Sequence, residues 1–240
     1  MLLFFLINIV SRMFCKISHR GYIGSQYTME NSYKSIVSAL KEDFDMIELD
    51  VQLTKDNVVI LHHDLFVVIH KGINEYKMIS DMNYSELIDH KKHILTLDEL
   101  FNIQGLCKKS LYLDLKGCDN LADHLIEYFG NDFEFNNDIY LGSFNKEHLR
   151  ILTSNDLLTN STFKFGFITT NHLSNDDLIN LKKTYNIDFV SIDWNALREH
   201  TIEHLKKLNV RCFAFTCKSQ FILEQIKKFN VNGIVSDIIL

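Results

Sequence analysis

The 240-residue chain contains no proline at all. Average usage is about 5%, so loops and helix ends must be read from Asn, Asp and Gly instead. Alongside abundant Asn, Ile, Lys and Phe, this absence points to coding bias rather than a structural demand. Cysteine is sparse too: Cys15, Cys107, Cys118, Cys212 and Cys217 are odd in number and include no C-x-x-C pair. That argues against a disulfide framework and a thiolate zinc site, and favours a reducing, cytoplasmic compartment. No basic block occurs, and the formal net charge is −6, which argues against nucleic acid as a partner. The strongly apolar run Met1–Val10 is too short to span a bilayer, and it lacks the basic start and small-residue cleavage pattern of a secretory signal. Residues 1–13 form an apolar N-terminal segment, of which Met1–Val10 is read as a helix capping the bottom of the fold. An anchor giving peripheral membrane contact through residues 1–10, or an uncleaved signal, competes with that reading.

What is present is ordinary for a globular protein: 46% apolar residues and a length that suits one large domain. The informative stretch is Asp45–Asp64. Ile47, Leu49, Val51 and Leu53 alternate with Glu48, Asp50 and Gln52, so a strand here offers two carboxylates side by side on one face. Lys55-Asp56-Asn57 reads as a turn and Val58–Leu61 as a second strand. His62 and His63 then come back level with Leu49 and Asp50. The competing reading is a sheet-edge hairpin with its carboxylates in water.

Further strand-like runs follow: Leu111–Lys116, Ile139–Phe144, Lys164–Thr170, Phe189–Trp194, Arg211–Thr216 and Gly233–Asp237. Helical patterns separate them at Leu121–Tyr128, Lys146–Leu152, Asn175–Tyr185, Arg198–Leu208 and Ser219–Phe229. Together with Phe14–Ser18 and Met46–Val51 they make eight strands, and eight βα units close into a TIM (β/α)8 barrel. Asn31 is read as the cap of a helix carrying Ile36, Val37, Leu40 and Phe44. Thr96 with Glu99 forms a capping box for Thr96–Ile103. Residues from about 65 to 94 read as an irregular excursion above the barrel, part of an insertion after the second strand at about 52–95. A single domain over 14–240 is the expectation.

His19-Arg20-Gly21, Glu30-Asn31-Ser32, Glu48 with Asp50 through Asp56, His63-Asp64, Asp114 with Lys116, and the closing Gly233-Ile234-Val235-Ser236-Asp237 stand in this order along the chain. In order and spacing the chain resembles the glycerophosphodiester phosphodiesterase family. The resemblance implies a phosphodiesterase acting on small glycerophosphodiesters or lysophospholipids. It further implies that His19, Arg20, Glu48, Asp50, His63, Asp114 and Lys116 are its catalytic and metal residues.

The residue chemistry supports such roles. Glu48, Asp50 and Asp114 are hard oxygen donors suited to Mg²⁺ or Ca²⁺. Arg20 and Lys116 can hold phosphate oxygens, and His19 and His63 titrate near neutral pH as acid and base. Phe215, in Phe215-Thr216-Cys217-Lys218, stands where the family reads W-T-V-N and is taken as an aromatic wall for substrate. Asp114 replaces the family's usual Glu and resembles the related sphingomyelinase D type phospholipases, a second reading alongside a non-catalytic binding barrel. His200-Thr201-Ile202-Glu203-His204 fits an H-x-x-E-H zinc pattern, but Ile202, Leu205 and Leu208 give it the stripe of a solvated outer helix.

Overall fold

The structure, a computed structural model, describes residues 14–24, 28–70, 72, 75–130, 133–159 and 162–240. The expectations for residues 1–13 lie outside these. In chain order the elements are β1 (Cys15–Ser18), α1 (Tyr33–Lys41), β2 (Met46–Leu53), β3 (Val59–Leu61), β4 (Phe66–His70), β5 (Glu75–Met78), α2 (Tyr84–His90) and α3 (Leu97–Phe101). There follow β6 (Ser110–Leu115), α4 (Asn120–Phe129), β7 (Ile139–Ser143), α5 (Lys146–Thr153), α6 (Asp156–Thr159), β8 (Phe163–Thr169) and α7 (Asn175–Tyr185). The chain ends with β9 (Phe189–Asp193), α8 (Glu199–Lys207), β10 (Arg211–Cys217), α9 (Gln220–Ile226) and β11 (Gly233–Ser236).

Strands β1, β2 and β6 to β11 run parallel, each paired with the next, and β11 pairs back onto β1. The sheet is therefore closed, an eight-stranded TIM barrel with helices between its strands. Period-2 alternation sorts the side chains. Ile47, Leu49, Val51 and Leu53 of β2 pack outward with Leu111, Leu113 and Leu115 of β6 under α1, α3 and α4. Met46 and Tyr112 point into the barrel, where Ile17, Tyr140, Ile168, Phe189, Phe213 and Val235 join them. The rings of Tyr112 and Phe189 meet edge to face at 5.3 Å. Gly166 makes room for this filling, since a Cβ there would lie 2.4 Å from the Phe189 ring. The C-terminal ends of the strands thus rest on a packed floor of aromatic and aliphatic side chains.

Two details depart from expectation. Asn31 does not cap α1. Ser32 does, its hydroxyl accepting from Ser35 N–H while Ser35 answers in a capping box, and Asn31 turns into the site with φ of 52°. The excursion is also more ordered than expected. β4 and β5 form an antiparallel hairpin, and Ile60, Val67, Ile79, Met82, Leu87 and Ile94 give the insertion its own small core. The short strands escape a sequence reading because only one residue of Phe66-Val67-Val68, Val67, is buried. Among the described residues no helix is long and apolar enough to cross a membrane.

His148, on α5, is fully buried and ties three connections together. Its Nε2 meets the Cys118 carbonyl at 2.8 Å and its Nδ1 meets the Ser143 hydroxyl at 2.8 Å. Burial holds its pKa below the ordinary 6.5, with the Cys118 carbonyl pulling the other way. The unfolded chain therefore takes up a proton near pH 6.5 that the folded chain refuses, so this group's contribution to stability is lost as pH falls below that value. In denaturant titrations, His148→Gln should cost most at pH 7.5, with the gap to wild type narrowing towards pH 5. A gap independent of pH would mean that the buried imidazole titrates normally.

Candidate active site

The site sits at the C-terminal ends of the barrel strands. β2 and β6 pair in register, with Asp50 opposite Asp114 and Glu48 opposite Tyr112. Because alternate residues share a face, the pairing sets Glu48, Asp50 and Asp114 side by side. Their carboxylates offer oxygens within 4.8 Å of one another, and all three residues are buried. The Lys116 ammonium hydrogen-bonds Asp114 Oδ2 and lies 3.3 Å from Asp50 Oδ1. Arg20 approaches from the other side, its Nε 3.1 Å from Asp50 Oδ2 and its Nη1 donating to Glu30 at 2.8 Å.

Those neighbours sort the three acids. Burial works against the Asp50 carboxylate, but Lys116, Arg20 and the Asn31 amide outweigh it and hold Asp50 below the ordinary range. Burial, followed by the charges of Asp50 and Asp114, pushes Glu48 well above that range. Burial also raises Asp114 to about 7, against the pull of Lys116 and with help from Asp50.

The loop after β1 is shaped for this contact. Arg20 and Gly21 both have positive φ, 54° and 77°, a conformation costly for an arginine. It aims Arg20 N–H at Glu48 Oε2, 2.8 Å away. Gly21 is required twice over, by its φ and because a Cβ would sit 2.5 Å from Ser35 Oγ. Asn31 clamps Asp50 at two points, donating through Nδ2 to Asp50 Oδ2 at 2.8 Å and accepting from Asp50 N–H at 3.0 Å.

Each histidine has a carboxylate behind it. His19 Nδ1 lies 2.6 Å from Asp237 Oδ1, and His63 Nδ1 lies 2.8 Å from Asp64 Oδ1. Such a partner fixes ring orientation and leaves Nε2 as the nitrogen free for substrate. His19, Arg20, Glu48, Asp50, His63, Asp114 and Lys116, together with Tyr112, Phe144, Phe215 and Thr216, line one cavity of about 100 Å³. Lys116 Nζ stands 5.0 Å over the Phe144 ring, which meets Phe215 edge to face at 6.1 Å.

The donor set fits a hard divalent cation. Two cationic side chains face three buried carboxylates, and Asp114 Oδ1 is buried without a hydrogen-bond partner. An oxygen so placed is costly unless something positive occupies the space before it. Among the described residues, no other group of three His, Cys, Asp or Glu side chains gathers closely enough for a metal. His200 points to solvent and meets the ring of His172 at 5.1 Å, in keeping with a solvated α8.

Residues 19–240 match the model of the glycerophosphoryl diester phosphodiesterase family. The chain belongs to that family. Membership places it among the phosphoric diester hydrolases. Among its relatives is the glycerophosphodiester phosphodiesterase of Caldanaerobacter subterraneus subsp. tengcongensis, 25% identical over 92% of this chain and 93% of the relative. The human lysophospholipase D GDPD1 is 31% identical over 150 residues, which cover 56% of this chain and 43% of that protein. In fold the chain is similar to an Oleispira antarctica phosphodiesterase solved with the product sn-glycerol-3-phosphate. That likeness has a TM-score of 0.78 at 19% identity, over 93% of this chain and 92% of the other.

The structure brings His19, Arg20, Glu48, Asp50, His63, Asp114, Lys116 and Phe215 into the one cavity. Sequence reasoning gave no site role to Asn31, Asp64, Asp237 or Phe144. The first three lie within motifs that carried the family resemblance, so the signal was present and only the contact was missing. Removing the Asn31 clamp in Asn31→Ala leaves a buried N–H and a buried carboxylate short of partners. Unfolding free energy should drop by about 1–3 kcal/mol in urea melts. A loss below about 0.5 kcal/mol, the range of an ordinary surface substitution, would show the clamp to be dispensable.

Proposed function

We propose that the chain hydrolyses glycerophosphodiesters to glycerol 3-phosphate and an alcohol, with Glu48, Asp50 and Asp114 holding Mg²⁺ or Ca²⁺. The observation that carries this is the convergence of three carboxylates, Arg20, Lys116 and two carboxylate-backed histidines on one cavity. When bound, the cation supplies Lewis-acid polarisation of a phosphodiester oxygen. Arg20 and Lys116 hold the other phosphate oxygens and offset their charge. Phe144 and Phe215 shield that side of the cavity from water.

No serine, threonine or cysteine stands beside a base as a nucleophile in this set. A hydroxyl of the substrate's own glycerol, next to the phosphorylated carbon, is the better attacking group, because the reaction is then intramolecular. One histidine takes the hydroxyl proton at Nε2 as the new O–P bond forms. The other gives its Nε2 proton to the departing alcohol as the old P–O bond breaks. The product is a cyclic phosphate, and water opens it to glycerol 3-phosphate with the histidine roles reversed. Asp237 and Asp64 keep the two rings aligned throughout.

The Caldanaerobacter relative supports this reading over a sphingomyelinase D-like one, and the assembled carboxylates, cations and histidines support it over a non-catalytic one. His19→Ala and His63→Ala should each reduce turnover of glycerophosphocholine by about 10²-fold or more with the fold intact by circular dichroism. A variant at wild-type rate would remove that histidine from the mechanism. A substrate analogue with the neighbouring hydroxyl replaced by hydrogen should bind but turn over orders of magnitude more slowly. Normal turnover of it would make water the attacking group.

A further inference from the structure

The row of polar side chains that begins with Glu48 and Asp50 has a third member on the same face of β2, Gln52. It is buried, and its Nε2 donates twice, to the His62 carbonyl at 2.7 Å and to the Asp64 carbonyl at 2.8 Å. Those two carbonyls flank His63. Both partners are acceptors, so the carboxamide must face them with its nitrogen, and a carboxylate at this position would have no hydrogen to offer either.

The two histidines of the site differ in how they are held. His19 follows directly on β1, and its N–H continues the ladder to β11 by donating to the Ser236 carbonyl at 3.0 Å. β3 instead ends at Leu61, and the contact with β2 ends when His62 N–H meets the Asp50 carbonyl at 3.1 Å. His63 and Asp64 lie beyond that point, with side chains 36% and 58% exposed. Leu65 and Phe66 after them are exposed as well, so packing holds this turn weakly. The next backbone anchor is the Leu65 carbonyl, which accepts from Ile79 N–H at 2.9 Å within the insertion. Between the two anchors, the barrel grips the turn through Gln52.

We propose that Gln52 is a positioning residue for His63. By holding the carbonyls on either side, its carboxamide sets the turn in which His63 Nδ1 meets Asp64 at 2.8 Å and the imidazole enters the phosphate cavity. The proposal rests on the catalytic role given to His63 above. One strand then serves both halves of the chemistry: Glu48 and Asp50 offer oxygens to the cation, and Gln52 aligns a proton-transfer group.

Turnover of glycerophosphocholine by the full chain is compared in the wild type, Gln52→Met, His63→Ala and the double variant. Gln52→Met should lower kcat by about 10²-fold with KM little changed, the cost of displacing a reacting group by about an ångström. In the His63→Ala background the same substitution should change the remaining rate by less than about twofold, because groups that act as a unit do not add. Calorimetric titration with Mg²⁺ and Ca²⁺ should give the same affinities for the wild type and Gln52→Met. Gln52→Asn, one methylene too short to reach both carbonyls, replaces the methionine variant if that one does not fold. Imidazole nitrogen NMR needs no turnover: the neutral His63 ring, identified by its absence from His63→Ala, should carry its proton on Nδ1 in the wild type and lose that preference in Gln52→Met. Equal losses in the two backgrounds, wild-type turnover in Gln52→Met, weakened cation binding or an unchanged proton position would each overturn the proposal. If the proton position shifted as expected while His63→Ala kept wild-type turnover, the clamp would stand and the catalytic role of His63 would fall.

Discussion

Three carboxylates are held together in a buried pocket by the in-register pairing of β2 with β6, and most of the site exists to make that tolerable. The pairing sets Asp50 opposite Asp114, and strand alternation adds Glu48 to the same face. Left alone, such a cluster would protonate or push the strands apart, because buried like charges interact strongly and have little water to screen them. Arg20 and Lys116 offset part of the repulsion, the Asn31 amide clamps Asp50, and the Arg20 backbone adopts a costly conformation to reach Glu48. What remains is a deficit of positive charge centred on Asp114 and Glu48, where burial and mutual repulsion raise both carboxyls.

Several local rules of folding are broken together here, which is the expected mark of a functional site. Ordinary helix caps, apolar alternation and an aromatic barrel filling build the scaffold. Left-handed Arg20 and Asn31, an unpartnered Asp114 oxygen and a row of buried acids meet within the mouth, while left-handed backbone elsewhere falls on Asn57, His93, Asn186 and Asn209. Rigidity below the site follows from Tyr112, Phe189 and Phe213, whose rings leave the strands little room to shift.

Strand and helix alternation was legible in the sequence because barrel strands are short apolar runs between amphipathic helices, and βα repetition leaves few alternatives. The Glu48, Asp50 and Asp114 face was legible for a simpler reason: period 2 fixes which residues share a side. Contacts between distant loops were not. Nothing local tells that Asp237 lies behind His19, 218 positions away in the chain, or that Asn31 reaches Asp50 instead of capping a helix. The β4–β5 hairpin was hidden because its outward residues are as apolar as its inward one, so the usual alternation is absent.

The proposed role of the carboxylate cluster is to hold a divalent cation against a phosphodiester. The most direct measurement is turnover of glycerophosphocholine by the full chain before and after divalent cations are removed with EDTA, and again after Mg²⁺ or Ca²⁺ is restored. Activity should be lost in EDTA and recovered with one of the two ions, with no such recovery in Glu48→Gln. Undiminished turnover in excess EDTA would contradict that role.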